Sequence, residues 1–385
     1  MLVSKRHKRS ALKTKVTKRI TQIPPDDWKR VFPNVLESYD FLRTLDESNL
    51  EQFSFYYIMI YDRKTPIGAT TCFLVNYPLD TSIQGPLKRI TSSIKKFMPN
   101  IFSLKAVVCG MPIGQGRIGM AAQSEAVINA ILHRVEQIAK KNRASVIALK
   151  DFDQRYTKIL DPLQKKGFSK FDSLPTTELN IWFKNFEEYL MTLSVATRYD
   201  LRRKFKKTDG RVKIDLKIVD SLDDDTLQDV HKLYLGMATT QDMNFELLPI
   251  DFFKNISRGM PGHVKFFLYR IEKRLVAFML CLISEDLFID YYVGLDYSVA
   301  HKHHLYFVKF RDALNWCIKH NIKKYEMGTT SYEPKKRLGF DLIPLYIYVK
   351  LRNKALRPIF NLICQFLKFE NFDPSLKKAK KGMVA

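Results

Sequence analysis

Apolar and polar positions divide the chain into two runs of elements with the same order. Residues 53–61 are dense in aromatic and branched side chains and predict a strand. Asp62-Arg63-Lys64-Thr65-Pro66 turns the chain, and residues 67–75 form the returning strand. Residues 101–109 predict a third strand that runs into a glycine-rich stretch, 110–119. Val127, Ile128, Ile131, Val135 and Ile138 recur at three- and four-residue steps, so 121–141 reads as a helix with one buried face. A short strand over 145–149, a helix over 156–166, and a strand from Gly167-Phe168 to near Trp182 close the first run.

The second run predicts a long basic helix over 186–207, a strand over 212–219 and helices over 223–237 and 250–256. Strands over 264–271, 274–283 and 287–293 follow in quick succession, then a helix over 305–320, a strand over 324–327, a helical turn over 333–337 and a last strand over 342–351. Both runs end alike: strand, loop, long helix, short strand, short helix, Gly-Phe pair, strand. A shared order at similar spacing is what a duplicated domain produces. The expected organisation is a basic disordered arm at 1–20, domains at 21–185 and 186–352, and an amphipathic helix with a basic tail at 353–385. The fold class is α/β (α+β): two tandem domains, each a mixed, mostly antiparallel sheet flanked by helices.

Five segments carry a resemblance. Lys165-Lys166-Gly167-Phe168 and Arg337-Leu338-Gly339-Phe340 each lead into a last strand. A basic helix, Tyr189 to Lys207, joins the halves, Tyr291-Tyr292-Val293-Gly294-Leu295-Asp296 lies on a central strand, and Gly328-Thr329-Thr330-Ser331-Tyr332-Glu333-Pro334-Lys335 follows the short strand. In these segments and their order the chain resembles the GNAT (N-acetyltransferase) superfamily. In its tandem form it resembles the Fem-type aminoacyltransferases and the CelD group of acyltransferases. The resemblance covers about residues 50–355. It implies an acyltransferase that uses acetyl-coenzyme A or another acyl-coenzyme A, with the acceptor amine between the lobes. One departure concerns the donor: the loop from Asp296 to His304 holds no glycine, and the glycines of 110–119 do not follow the family's pyrophosphate spacing.

The resemblance implies roles for particular residues. Tyr332 would protonate the leaving thiolate, and Asp290 or a water would deprotonate the amine. Strand alternation would send Asp290 and Tyr292 to one face and Tyr291 to the other. Val293, Gly294, His301, Lys302, His303 and Lys335 are the coenzyme-binding candidates of the second half. Gly114, Gly116, Arg117 and Gly119 are those of the first, since Gly114-x-Gly116-x-x-Gly119 follows a strand and precedes a helix, where backbone N–H groups can approach a phosphate. The competing reading of this loop is a turn with no ligand, and of Asp290 a carboxylate paired with a nearby base. His301, His303 and His304 lack zinc spacing, so no metal is expected.

Composition adds the partner classes. The 385 residues carry a formal net charge of +24, which favours polyanions: nucleic acid, an anionic membrane face or phosphate-bearing substrates. Arg198, Arg202 and Arg203 lie on the basic helix as polyanion-binding candidates. The scattered cysteines predict reduced, buried thiols of a cytoplasmic protein. No run of 18 apolar residues occurs, so contact with the inner membrane face would be peripheral, through the arm or the tail helix. The leading expectation is an N-acyltransferase moving an acyl group from acyl-coenzyme A to a small-molecule or cell-envelope amine. The alternatives are an aminoacyl-tRNA dependent transferase of the Fem type and a non-catalytic polyanion- or membrane-binding protein.

Overall fold

The computed structural model of the protein describes residues 12–78, 103–238, 246–329 and 331–358. They fall into two compact units, one within Met1–Asp46, Glu51–Phe171 and Tyr346–Asn361, the other within Glu47–Leu50 and Asp172–Leu345.

The first unit opens on strand β1 (Lys13–Thr17), which pairs antiparallel with β2 (Ser54–Asp62). This corrects the expected arm: residues 13–17 are an edge strand. Two lysines suit an edge because their charge deters further strand addition. Lys15 also donates to the Gln22 carbonyl at 2.6 Å. Residues 1–11 lie outside the described residues.

Helices α1 (Pro25–Val31) and α2 (Tyr39–Glu47) precede β2. Strand β3 (Thr65–Pro78) returns against β2, and β4 (Ser103–Cys109) against β3. A short strand, β5 (Ile118–Met120), pairs with the start of β3. Helix α3 (Glu125–Lys141) then crosses to β6 (Val146–Asp153), which runs parallel to β4 from Ala106↔Val146 to Cys109↔Leu149. Ser124 caps α3 by accepting from the Val127 N–H, and the five predicted apolar positions are all buried. Each such side chain contributes about 1.5–3 kcal/mol.

The second unit carries α4 (Phe186–Thr192) and α5 (Val195–Asp209) where one long helix is predicted. The break has a local cause: Leu193 is extended, and Ser194 turns its hydroxyl onto the Thr197 N–H at 3.3 Å as a new N-cap. Strand β7 (Ser169–Asn180) supplies the first edge of this unit. After α5 come β8 (Asp215–Val219), α6 (Asp224–Ala238), α7 (Ile250–Gly259), β9 (Val264–Ile271), β10 (Arg274–Ile283) and β11 (Leu287–Leu295). Helix α8 (Leu305–Lys319), β12 (Lys324–Met327), α9 (Tyr332–Arg337) and β13 (Asp341–Leu351) complete it. The sheet order is β7-β12-β11-β10-β9-β8, antiparallel except for the parallel pair β11 and β12. Each unit therefore has one parallel pair joined by a long helix (α3 or α8) packed on the sheet, as the mixed sheets predicted from sequence require.

Both Gly-Phe pairs end a helical turn, with Gly167 at φ 83° and Gly339 at φ 81°, where a side chain would strain the backbone. The strands they introduce change unit part-way: β7 belongs to the second unit from Asp172, and β13 to the first from Tyr346. There Tyr348 donates to Asp161 at 2.6 Å and Lys350 pairs with Glu136 at 2.7 Å. The expected tail helix lies outside the described residues beyond the turn Lys354–Leu356.

Candidate active site

In the second unit, β11 and β12 stay paired from Leu287↔Lys324 to Asp290↔Met327. There β12 ends, while β11 continues to Leu295. The end of a parallel pair leaves backbone groups and side chains open to a ligand between the diverging chains. The charged residues of the unit's interior collect at this point.

Asp290 is buried and accepts a 2.6 Å hydrogen bond from Lys309 of α8, whose side chain is itself only 1% exposed. The second carboxylate oxygen of Asp290 has no hydrogen-bond partner among the described residues, and neither do the buried Tyr306 and Tyr325 hydroxyls. Burial and the nearby Asp290 both raise the pKa of these two phenols. Lys335 of α9 points to the end of β12, where its ammonium donates to the carbonyls of Met327 (3.1 Å), Gly328 (2.8 Å) and Thr329 (3.3 Å). Burial lowers Lys335 from 10.5 to about 7; Asp290 and Glu326 oppose that fall and Lys309 adds to it. A lysine so placed exchanges its proton near neutrality and can serve as a general base.

The predicted alternation on β11 fails for a physical reason. Opposite β10 the register passes from Leu280↔Tyr292 to Cys281↔Asp290, so Tyr291 is an extra, bulged residue. Asp290 and Tyr292 therefore face opposite sides. Asp290 meets α8, while Tyr292 packs against Tyr234 and Phe252 of α6 and α7 and donates to Glu246 at 3.0 Å. Tyr332 is fully buried, and its hydroxyl donates to the Pro175 carbonyl at 2.8 Å. Its proton is already committed to holding the head of α9 on β7.

The other donor-binding candidates of this unit separate. Gly294 permits close packing: a Cβ there would stand 2.4 Å from Phe278 and 2.9 Å from the Leu233 Cβ. Val293 packs into the core beneath α8. Between Asp296 and His304 several amides are used internally. Ala300 donates to the Asp296 carbonyl, His303 to Val299, His304 to His301, and Ser298 to the Asp296 carboxylate. Asp296 also pairs with Arg274. The segment thus presents the Asp296 carboxylate beside amides that are already partly bonded within it. His301 and Lys302 are exposed, with His301 stacked on Tyr297. His303 is buried, and burial first, then Lys302 and Arg211, lowers its pKa.

In the first unit the glycine loop is filled by the protein itself. A Cβ at Gly114 would meet the Glu37 carboxylate at 2.0 Å, one at Gly116 the Lys150 carbonyl at 2.1 Å, and one at Gly119 the Val31 carbonyl at 2.6 Å. Arg117 pairs with Glu37 at 3.3 Å. These glycines admit neighbouring protein atoms on the side where a Cβ would stand. The motif also opens onto β5 instead of a helix, since α3 starts only at Glu125.

The basic helix is similarly engaged. Arg198 donates to the Met191 and Leu193 carbonyls at the end of α4, Arg202 pairs with Glu187 at 2.6 Å, and Arg203 pairs with Asp200 at 2.8 Å. Asp200 also binds Lys204 and Arg337, and these partners hold it down to about 2. Sequence reading missed Lys309 and Glu37. Lys309 has a legible signal: it falls four residues after Leu305 and four before Ala313, on the stripe that α8 buries. Glu37 has none, because its neighbour Gly114 is distant in sequence.

Among the described residues, no group of three or more His, Cys, Asp or Glu could hold a metal ion, and no helix is long and apolar enough to cross a membrane.

Two units, each built on a mixed sheet with a parallel pair, form a tandem GNAT fold. Solved structures agree in fold. L-PGS from Bacillus licheniformis superimposes with a TM-score of 0.53 at 12% identity, covering 87% of this chain and 96% of that one. FemX gives 0.52 at 14%, covering 82% and 92%, and a tandem GNAT protein from the clavulanic acid biosynthesis pathway gives 0.51 at 10%, covering 89% and 98%. The chain belongs to the FemAB-like family, described as peptidoglycan biosynthesis/recognition, which it matches over residues 19–377. Two strains of Mycobacterium tuberculosis, CDC 1551 and H37Rv, encode a relative 23% identical over 323 residues and provisionally named 8-amino-7-oxononanoate synthase 2. The match covers 81% of this chain and 42% of that protein, so the chain spans less than half the length of these curated relatives.

Proposed function

We propose that this protein transfers an aminoacyl group from an aminoacyl-tRNA to an amine of a cell-envelope precursor. One observation supports the choice of donor: in the two candidate loops, Ser298, Val299, Ala300, His303 and His304 already bond their amides within their own segment, and Glu37 packs against Gly114. The net charge of +24 suits a nucleic-acid donor.

In this reading the acceptor nitrogen attacks the ester carbonyl at the open end of β11. The C–N bond forms as the C–O bond to the terminal ribose breaks. The proton lost by the amine passes to Lys335 and from Lys335 to the departing ribose oxygen, which leaves as the hydroxyl and returns Lys335 to its uncharged form. Burial keeps Lys335 partly uncharged at neutral pH, so it can accept that proton.

The second reading is an acyl-coenzyme A dependent N-acyltransferase. It is favoured by the diverging parallel pair and by the solved tandem GNAT protein, described as lacking AcCoA. Calorimetric titration with coenzyme A and acetyl-coenzyme A, set beside a mobility-shift titration with charged tRNA, separates the two. Salt-sensitive tRNA binding with no coenzyme heat supports the aminoacyl reading. Saturable micromolar coenzyme binding without tRNA binding replaces it with the second.

A further inference from the structure

We propose that Lys309 is a positioning residue for transfer: by pairing with Asp290 beneath β11, it occupies the carboxylate that would otherwise hold Lys335 as an ammonium. The inference rests on the reading of Lys335 as the base.

The geometry is a buried ion pair, Asp290–Lys309, with a second buried amine, Lys335, bonded to the carbonyl of Met327, the residue paired with Asp290 across the strands. Asp290 and Lys309 are in direct contact at 2.6 Å, both almost wholly out of water. Lys335 lies at the end of the strand paired with Asp290, and it feels both of its partners through space. One carboxylate can neutralise one ammonium, and Lys309 has it. Among the described residues, Lys335 Nζ donates to three backbone carbonyls and lies 6.0 Å from the centre of the Tyr332 ring. Three carbonyls favour the ammonium, burial opposes it, and the balance falls near neutrality.

The other groups facing this point leave that arrangement intact. Glu326 of β12 accepts from Thr176 at 2.9 Å. Tyr306 of α8 has its ring 5.2 Å from the Lys309 ammonium, and Tyr325 of β12 packs between Phe288 and Phe310. Tyr332, on the same helix as Lys335, donates to Pro175. Cys281 of β10 is a fully buried thiol that burial and Asp290 push upward.

Lys309→Met frees Asp290 to act on Lys335. The double variant Asp290→Asn/Lys309→Met removes both charges. The readout is the Lys335 side-chain resonance in 13C-lysine-labelled full-length protein, assigned by its loss in Lys335→Met, followed against pH without substrate. Lys335 should titrate near 7 in the wild type, higher by about one pH unit or more in Lys309→Met, and at or below the wild-type midpoint in the double variant. An unchanged midpoint in all three overturns the proposal. If Lys309→Met does not fold, a double-variant midpoint below wild type supports the proposal, and one at or above wild type overturns it. The titration is independent of any donor, so a protein that titrates as described but transfers nothing from charged tRNA refutes the functional reading alone.

Discussion

Glu37 and Gly114 share one space: the carboxylate of the first lies 2.0 Å from where a Cβ on the second would be. Gly114 also has φ 84°, a conformation that strains any other residue. Gly114→Ala should therefore destabilise the protein by about 1–3 kcal/mol, through backbone strain and displacement of the Glu37–Arg117 pair. Urea unfolding reads this directly. Donor binding by folded Gly114→Ala should match the wild type, because the loop packs on protein. A selective loss of donor affinity would return the loop to the binding site.

The Asp290–Lys309 pair makes a stability prediction distinct from its effect on Lys335. Removing one partner of a buried pair leaves an uncompensated charge, so Lys309→Met should cost about 3–5 kcal/mol. The double variant with Asp290→Asn should recover most of it. Chemical denaturation of both single variants, Lys309→Met and Asp290→Asn, the double variant and the wild type measures the coupling. Additive losses would mean that the 2.6 Å contact is not a coupled pair.

Tyr332 separates a structural from a catalytic hydroxyl. Because it donates to the Pro175 carbonyl at 2.8 Å, Tyr332→Phe should cost about 1–2 kcal/mol of stability and leave the transfer rate within about tenfold of wild type. A general acid would instead cost about a hundredfold or more. Single-turnover transfer rates at saturating donor make the distinction.

Lys335 gives the protein a pH signature. Its folded-state pKa, about 7, lies below its ordinary 10.5 because burial penalises the ammonium. Between those values the unfolded chain binds the extra proton, so this group makes stability rise with pH from about 7 towards 10.5. Below 7 both states are protonated, the slope vanishes and the full cost of burying the charge remains. Unfolding free energies at pH 6, 8 and 9 should diverge between wild type and Lys335→Met, with the slope absent in the variant. The wild-type transfer rate should climb through the same region, since the base must be uncharged.

Much of the fold was legible because its elements are locally determined. The α3 stripe from Val127 to Ile138, the turn between β2 and β3 and the paired Gly167-Phe168 and Gly339-Phe340 signals all act within a few residues. The break before α5 was missed because a single serine decides it: capping by Ser194 outweighs the continuous basic pattern. The edge strand β1 was missed because only its pairing with β2 makes a strand of a lysine-rich segment.

The site divides in the same way. The sequence alone determined that Lys335 follows a glycine-bearing loop by one helical turn, that Asp290 lies on an apolar central strand, and that the chain holds two copies of one element order. Tertiary structure decided everything that depends on what lies opposite: the Tyr291 bulge that parts Asp290 from Tyr292, the ion pair that claims Asp290, and the carboxylate inside the glycine loop. Those outcomes hinge on cross-strand register and on desolvation, both set by residues far away in the chain. Periodicity can assign a residue to a face, but only the assembled sheet determines which partner waits there.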